Sequence, residues 1–269
     1  MKLPDTMVKP GTRVRLKDIP TDGNGGLSRD DPECQRKLQE DLDTMARLQE
    51  RLYAEGKQSL LVILQAMDAG GKDGTIKHVM SSLNPQTCDV VSFKEPTAEE
   101  LAHDFLWRVH PHAPARGLIT VFNRSHYEDV LVVRVHKLVP PKVWKRRYDR
   151  INEFEQLLVD NGTRILKFFL HISKEEQKRR LQERIDDPQK HWKLSPSDIP
   201  ERELWDEYMA AYEDVFARCS TDIAPWYIIP ADRKWYRNLL VADIIARTLK
   251  DMNPKWPPPK VDVSTLVLK

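Results

Sequence analysis

Short apolar runs alternate with longer helical patterns along most of this chain of 269 residues. The runs predict strands at 59–65, 89–93, 118–122, 164–172 and 225–229. Because a strand that is apolar on both sides must be covered on both faces, the alternation predicts an α/β fold with a parallel sheet between helices. Sheets of this kind bind ligands at the carboxyl ends of their strands.

Helical patterns lie before, between and after these strands. The first, over 32–53, carries a single apolar stripe and is followed by Gly56, a typical helix stop. Further helices are predicted over 74–83, 98–109, 141–161, 174–186, 201–219 and 233–251.

No internal repeat or long low-complexity linker interrupts the pattern, so we predict a single domain over 1–269. Its parts are an N-terminal arm and helix (1–56), a core (57–173 and 201–252), a lid (174–200) and a C-terminal tail (253–269). The first 30 residues are rich in proline and glycine and predict an extended arm without a core. Residues 174–186 are polar on nearly every face and 187–200 are loop-like, which favours a mobile cover over the sheet.

Composition excludes several classes of protein. The longest apolar run, 60–64, is too short to cross a membrane, and the N-terminus lacks an apolar signal core, so we expect a cytoplasmic protein. Three scattered cysteines without a CxxC pair exclude a disulfide framework and a zinc ribbon. The net charge of +2 by itself predicts no polyanion partner, nucleic acid included, so the distribution of charge matters more. Basic residues do cluster over 142–150 and 178–193, where a solvated helix face is the simplest interpretation.

Residues 66–75 read Ala-Met-Asp-Ala-Gly-Gly-Lys-Asp-Gly-Thr and connect the first predicted strand to a helix. This arrangement is typical of a phosphate cradle, because backbone N–H groups and the helix dipole attract an anion. The match to the P-loop pattern is incomplete, since Ala66 replaces its first glycine and Asp73 its magnesium-binding hydroxyl. A plain turn is the alternative, but the position after a buried strand favours phosphate binding. The candidate loop residues are Ala69, Gly70, Gly71, Lys72, Asp73, Gly74 and Thr75.

Asp68 is an unusual residue for such a loop, because a carboxylate repels a phosphate unless a cation lies between them. We therefore predict that Asp68 binds Mg²⁺, which is normally held by one or two carboxylates together with phosphates. The alternative is that Asp68 or Asp73 caps the following helix.

A second polar segment, Asn-Arg-Ser-His-Tyr-Glu-Asp, follows the predicted strand over 118–122. Its position next to the loop makes Arg124 a candidate for binding the transferring phosphoryl group, with a structural salt bridge as the alternative. Glu128 and Asp129 lie about one helical turn further on, close enough to contact a nucleotide or its metal. His126 is predicted to be a packed polar residue rather than a general base.

Three motifs occur in one order: Met-Asp-Ala-Gly-Gly-Lys-Asp-Gly, Phe-Asn-Arg-Ser-His-Tyr-Glu-Asp-Val, and the segment from Glu183-Arg184 through Asp187-Pro188 and Trp192-Lys193 to Ser195. With them the chain resembles the polyphosphate kinase 2 family over about 27–249. The resemblance implies a three-layer P-loop kinase-like fold with a helical lid. It also implies Mg²⁺-dependent phosphoryl transfer between inorganic polyphosphate and a nucleotide, and assembly into dimers or tetramers.

Many members of this family carry Asp where this chain has Asn123. The Asn-containing version resembles the subgroup (class III) that accepts both AMP and ADP, which implies nucleotide binding by Asn123, Glu128 and Asp129. With an amide at position 123, Asp68 is left as the principal protein ligand of the metal.

A polyphosphate chain carries about one negative charge per phosphate unit, so its path requires a line of cations. Beside the loop, the basic lid is therefore predicted to bind polyphosphate rather than to form a solvated face. Trp192 is predicted to anchor the lid by packing, with nucleobase stacking as the alternative. The candidate polyphosphate-binding residues are Arg134, Lys137, Arg179, Arg180, Arg184, Lys190 and Lys193.

We therefore expect a phosphotransferase that moves the terminal phosphoryl group of polyphosphate to AMP or ADP, with GMP and GDP as further acceptors and the favoured direction left open. Lys72, Arg124 and Arg180 are expected to offset charge in the transition state. One alternative is an NTP-dependent nucleoside or nucleotide kinase of similar fold. Another is a non-catalytic polyanion or RNA-binding module, which the lack of aromatics interleaved with basic strands disfavours. His110-Pro-His112 is interpreted as a surface turn rather than a metal site.

Overall fold

The computed structural model describes Met1 and residues 3–266. Within this part of the chain, five strands form one parallel sheet: β1 (Ser59–Gln65), β2 (Cys88–Ser92), β3 (Ile119–Asn123), β4 (Thr163–His171) and β5 (Trp226–Pro230). The strand order is β2-β3-β1-β4-β5, so β1 lies at the centre of the sheet. The predicted strands and the α/β fold class are confirmed.

Helices cover the sheet in two groups. They are α1 (Pro32–Glu55), α2 (Lys72–Val79), α3 (Ala98–Ala102), α4 (Val132–Val135), α5 (Pro141–Asp160), α6 (Lys174–Asp186), α7 (Asp198–Glu203), α8 (Trp205–Cys219) and α9 (Lys234–Met252). One group packs α9 against α1 and α2, and the other packs α8 against α4 and α5. In the part of the chain that is described, no helix combines the length and the apolar character needed to cross a membrane.

Helix α1 shows how local signals set the boundaries of an element. The Asp31 carboxylate accepts a hydrogen bond from the Glu33 N–H at 2.8 Å, and Pro32 occupies the first turn, where its missing N–H costs nothing. Gly56 ends the helix in the left-handed conformation. The apolar stripe of α1 buries Met45 and Leu52 against the core, as the sequence predicted.

The helix predicted over 98–109 is wrong beyond Ala102. Helix α3 ends there because His103 takes an extended conformation (ψ 177°), while its N–H still bonds to the Glu100 carbonyl. The Asp104 carboxylate then accepts the Leu106 N–H at 3.0 Å, which gives the backbone a partner outside a helix. His110–His112 forms a short 3₁₀ turn, in agreement with the surface turn predicted for this segment.

Two segments predicted to lack structure contribute to it. The N-terminal arm joins the core, since Leu16 is buried and the Val8 N–H bonds to the Trp226 carbonyl at 2.8 Å. The segment predicted as a loop over 187–200 contains a 3₁₀ helix, Pro188–Lys193, and the start of α7. The proline-rich tail runs without an α-helix to Leu266, and the last three residues of its predicted range lie outside the described residues.

A buried charged network supports the segment that follows β3. The Lys167 ammonium on β4 donates to Glu155 on α5 at 2.6 Å, to the Tyr127 hydroxyl at 2.9 Å and to the Cys219 carbonyl at 2.6 Å. Tyr127 in turn donates to Glu155 at 2.8 Å. Burial alone would raise the pKa of Glu155, but Lys167 and the neighbouring His126 hold that pKa below its ordinary value. His126 is fully buried, as predicted for a packed polar residue.

Replacing Lys167 with methionine should lower the free energy of unfolding by about 3–5 kcal/mol, because Glu155 would remain buried without its main counter-charge. The double variant E155Q/K167M should recover part of this loss. Urea denaturation measures both values, with R150M as the control because the Arg150–Glu153 pair is exposed. A K167M protein as stable as the wild type would show that Glu155 does not depend on this ion pair.

Candidate active site

A cleft with a volume of about 1250 Å³ opens at the carboxyl edge of the sheet. Its position follows from strand register, since Leu64 of β1 pairs with Asn123 of β3 and the two strands run parallel. The turn after β1 and the turn after β3 therefore leave the sheet side by side. The cleft is lined by the loop 68–74, by Asn123 and Arg124, by residues of α6 and the segment after it, and by the start of α9.

Backbone geometry explains the glycines of the loop. A Cβ atom on Gly70 would lie 2.5 Å from the Ala66 Cβ and 2.7 Å from the Met67 carbonyl oxygen. Gly71 takes a positive φ of 104° immediately before α2, and Ala69 is left-handed as well. This tight path brings the first N–H groups of α2, which have no partner within the helix, to the floor of the cleft.

Lys72 is the first residue of α2 and is only 9% exposed. Its ammonium donates to the Ala66 carbonyl at 3.1 Å, so the side chain folds back along the loop. Burial, together with the nearby Arg124 charge, lowers the pKa of Lys72 below its ordinary value. An anion bound in the cleft would offset both effects.

Asp68 and Arg124 form a salt bridge across the cleft floor, with 2.8 Å between the Arg124 Nη2 and the Asp68 Oδ1. Arg124 thus forms the salt bridge that was the alternative to phosphoryl binding. Its side chain is nevertheless 40% exposed and lines the cleft. Glu128 lies close enough that its charge raises the pKa of Arg124. Neither aspartate caps α2, because the N-cap residue is Gly71 and no side chain makes a capping hydrogen bond there. The Asp73 carboxylate instead accepts a hydrogen bond from the Asn123 amide at 2.8 Å.

The oxygen atoms of Asp68, Asp73 and Asn123 are hard ligands of the type that Mg²⁺ prefers. In the described residues, no three His, Cys, Asp or Glu side chains converge to form a complete metal site. The residues present fit an ion held by one carboxylate of the loop, with phosphate oxygens and water completing its shell, rather than an all-protein cage.

Arg180 of α6 is buried and joins the lid segment to the loop. Its guanidinium donates to the Ala69 carbonyl at 3.0 Å, to the Ala231 carbonyl at 2.6 Å and to Glu176 at 2.7 Å. Its neighbour Arg179 is half-exposed and pairs with Glu176 and Glu183. Both arginines line the cleft, and both are paired with acids of their own helix.

The remaining cations predicted for the lid also line the cleft. Arg184 donates to the Lys193 carbonyl at 3.2 Å, and Lys190 pairs with Asp187 at 2.9 Å. The prediction that Trp192 anchors the lid by packing is wrong, because this residue is 79% exposed. The Lys193 ammonium lies over its ring, 5.0 Å from the ring centroid.

Several predicted site residues do not reach the cleft surface. Arg134 pairs with Asp214 at 2.6 Å and Lys137 is exposed elsewhere, so neither lies on the path lined by the lid. Asp129 is bound by Arg147 at 2.8 Å, and burial raises its pKa to about 6. Thr75 is fully buried and donates to the Gly71 carbonyl.

Sequence reasoning missed the contribution of α9. Lys234, Arg237 and Asn238 line the cleft from the first turn of this helix. Arg237 stands in a predicted helix whose buried side also carries Asn238, Asp243 and Thr248, so neither its position nor a motif distinguishes it in the sequence.

A parallel sheet of this order, with a glycine-rich loop and lysine at its central strand, defines a P-loop kinase-like protein. A family profile described as polyphosphate kinase 2 matches residues 28–257. The chain therefore belongs to the polyphosphate kinase 2 family, which confirms the resemblance carried by its motifs.

Similar proteins cover nearly the whole chain. The AMP/ADP-polyphosphate phosphotransferase of Meiothermus ruber is 50% identical over 262 residues, which span 97% of this chain and 98% of that protein. The ADP-polyphosphate phosphotransferase of Rhodopseudomonas palustris is 48% identical over 82% of this chain and 80% of its own length. The crystal structure of polyphosphate kinase 2 from Arthrobacter aurescens matches with a TM-score of 0.91 at 42% identity, covering 96% of this chain and 92% of that one.

Proposed function

We propose that this protein transfers the terminal phosphoryl group of inorganic polyphosphate to AMP and ADP, forming ADP and ATP. The observation that carries the proposal is the loop 68–74 with buried Lys72, opposite a wall of cations from α6 and the segment after it. Such an extended basic wall fits a polyanion that is longer than the phosphate chain of a nucleoside triphosphate. The name and full-length similarity of the Meiothermus ruber relative support the same substrates.

The reaction is an in-line displacement at phosphorus. An oxygen of the acceptor phosphate attacks the terminal phosphorus of the chain, and the bond from that phosphorus to the bridging oxygen breaks. The bridging oxygen stays with the shortened chain as part of its new terminal phosphate. Because such transfers depend mainly on position and charge, the protein contributes cations fixed around the transferring group, here Lys72, Arg124 and Arg180.

We also propose that Asp68 holds Mg²⁺, with Asp73 and Asn123 orienting metal-bound water. When bound, the ion would neutralise phosphate charge and align the two substrates. Arg124 occupies one Asp68 oxygen at 2.8 Å, which leaves the second for the ion.

The K72A variant should lose about 10²–10³-fold in turnover, because the loop would lose its own buried ammonium. Purified enzyme, Mg²⁺ and polyphosphate are incubated with AMP, ADP, GMP or GDP, and products are separated by chromatography; K142A, on the exposed face of α5, is the control. Wild-type turnover in K72A would exclude this site. The same assay is repeated with ATP or GTP as the donor in place of polyphosphate, and transfer from these but not from polyphosphate would indicate the nucleotide kinase instead.

The D68N variant should lose both activity and the response of the rate to Mg²⁺, because the loop would lose its metal-binding charge. Rates are measured across a Mg²⁺ titration, with D89N, an exposed carboxylate of β2, as the control. An unaltered Mg²⁺ response in D68N would mean that the ion binds elsewhere.

Three further properties complete the proposal: closure of residues 174–200 as a lid, assembly into a homo-oligomer, and a cytoplasmic location. The free cysteines support a reducing compartment.

An apolar groove of about 690 Å³ with exposed Trp107 and Leu157 supports self-association. Light scattering measures the mass in solution, and a purely monomeric mass would contradict the oligomer.

A further inference from the structure

Arg237, in the first turn of α9, is a buried cation without a buried counter-charge. The residue is 2% exposed, and its Nε and Nη2 donate to the Asn238 side-chain oxygen at 3.1 and 2.8 Å. That oxygen belongs to a neutral amide. Among the residues that the structure describes, no carboxylate pairs with Arg237, and its Nη1 has no hydrogen-bond acceptor.

The guanidinium lies directly against the phosphate-binding loop. A Cβ atom on Gly71 would overlap Nη1 of Arg237, and one on Gly74 would lie 3.2 Å from Nη2. The two glycines therefore leave the space that the arginine fills. Arg237 also lines the cleft, so the group beside the loop is at once buried in the protein and adjacent to the ligand space.

The charges around Arg237 are of the same sign. Burial, followed by the repulsion of Arg180, lowers the pKa of Arg237 to about 10. Burial and neighbouring arginines also lower the pKa of Lys72 and Lys234. Arg180 has Glu176 as a partner, whereas Arg237 has none, so holding Arg237 here costs the free protein stability. A bound anion would supply the missing charge.

We propose that Arg237 is a phosphate-binding residue of this cleft, whose Nη1 donates to an oxygen of the condensed phosphate chain that rests on the loop 68–74. Asn238 is the positioning residue, because it holds the other two guanidinium nitrogens and so orients the free one. The inference deepens the proposed function and rests on it for the identity of the chain, which is either inorganic polyphosphate or the phosphates of a nucleotide.

The test replaces Arg237 with methionine, which keeps most of the volume and removes the charge. Calorimetry measures the affinities of wild type and R237M for tripolyphosphate alone, ADP alone and orthophosphate alone. The unfolding temperatures of both proteins are also measured with and without each ligand. We expect R237M to bind the condensed phosphate about 10- to 100-fold more weakly. Without ligand, its unfolding temperature should equal or exceed that of the wild type, because an unpaired buried charge is gone.

Two further variants separate binding from structure. R247M changes an exposed arginine on the same helix, paired with Asp243, and should leave all affinities unchanged. R237K retains the charge on a shorter side chain without the planar fork and should bind with intermediate affinity, which keeps the test informative if R237M does not fold.

Each outcome decides the proposal. A loss of tripolyphosphate affinity assigns Arg237 to the inorganic chain, and a loss of ADP affinity alone assigns it to the nucleotide phosphates. Unchanged affinities for both, or a lowered unfolding temperature in R237M with intact binding, would overturn it and leave a structural arginine. These binding measurements need no turnover, so a failure of the proposed reaction would appear separately, as wild-type binding without nucleotide product.

Discussion

The parallel pairing of β1 with β3 is the constraint on which the rest of the site depends. It places Leu64 opposite Asn123, so the glycine-rich turn after one strand and the polar segment after the other emerge together. The Asp68–Arg124 and Asp73–Asn123 contacts both follow from this register. From below, Lys167 and Glu155 hold Tyr127, and with it the second segment, in a fixed position.

Charge at the cleft is distributed in two different ways. The cations of α6 and the segment after it are largely paired with acids on the same stretch of chain, which screens them until a ligand competes. Around the loop, in contrast, Lys72 is buried and only partly offset by nearby carboxylates, and Arg237 is buried with no carboxylate partner among the described residues. The cations at the deep end of the cleft therefore favour a bound anion. The cations of the outer wall would bind phosphate by giving up their salt bridges to neighbouring acids.

The sequence carried most of the fold, because strand hydrophobicity and helix caps are local signals. It located the loop and the segment after β3 for the same reason. One failure was local: the extended His103 and the side-chain bond from Asp104 ended α3 early, and no sequence signal marked this. The other failures arose where tertiary contacts decide, since the arm packs on β5 and Arg134 pairs with Asp214, 80 residues further along the chain. Arg237 was invisible to motif reasoning, since only folding brings α9 beneath the glycines of the loop.

The fit between Arg237 and the two glycines also constrains how this sequence can change over time. Any side chain at position 71 would have to displace the guanidinium, and a smaller residue at 237 would open a void under the turn. Positions that are 166 residues apart are thus tied to each other, and drift at one would be tolerated only together with drift at the other. In relatives where position 71 is not glycine, position 237 should therefore differ as well.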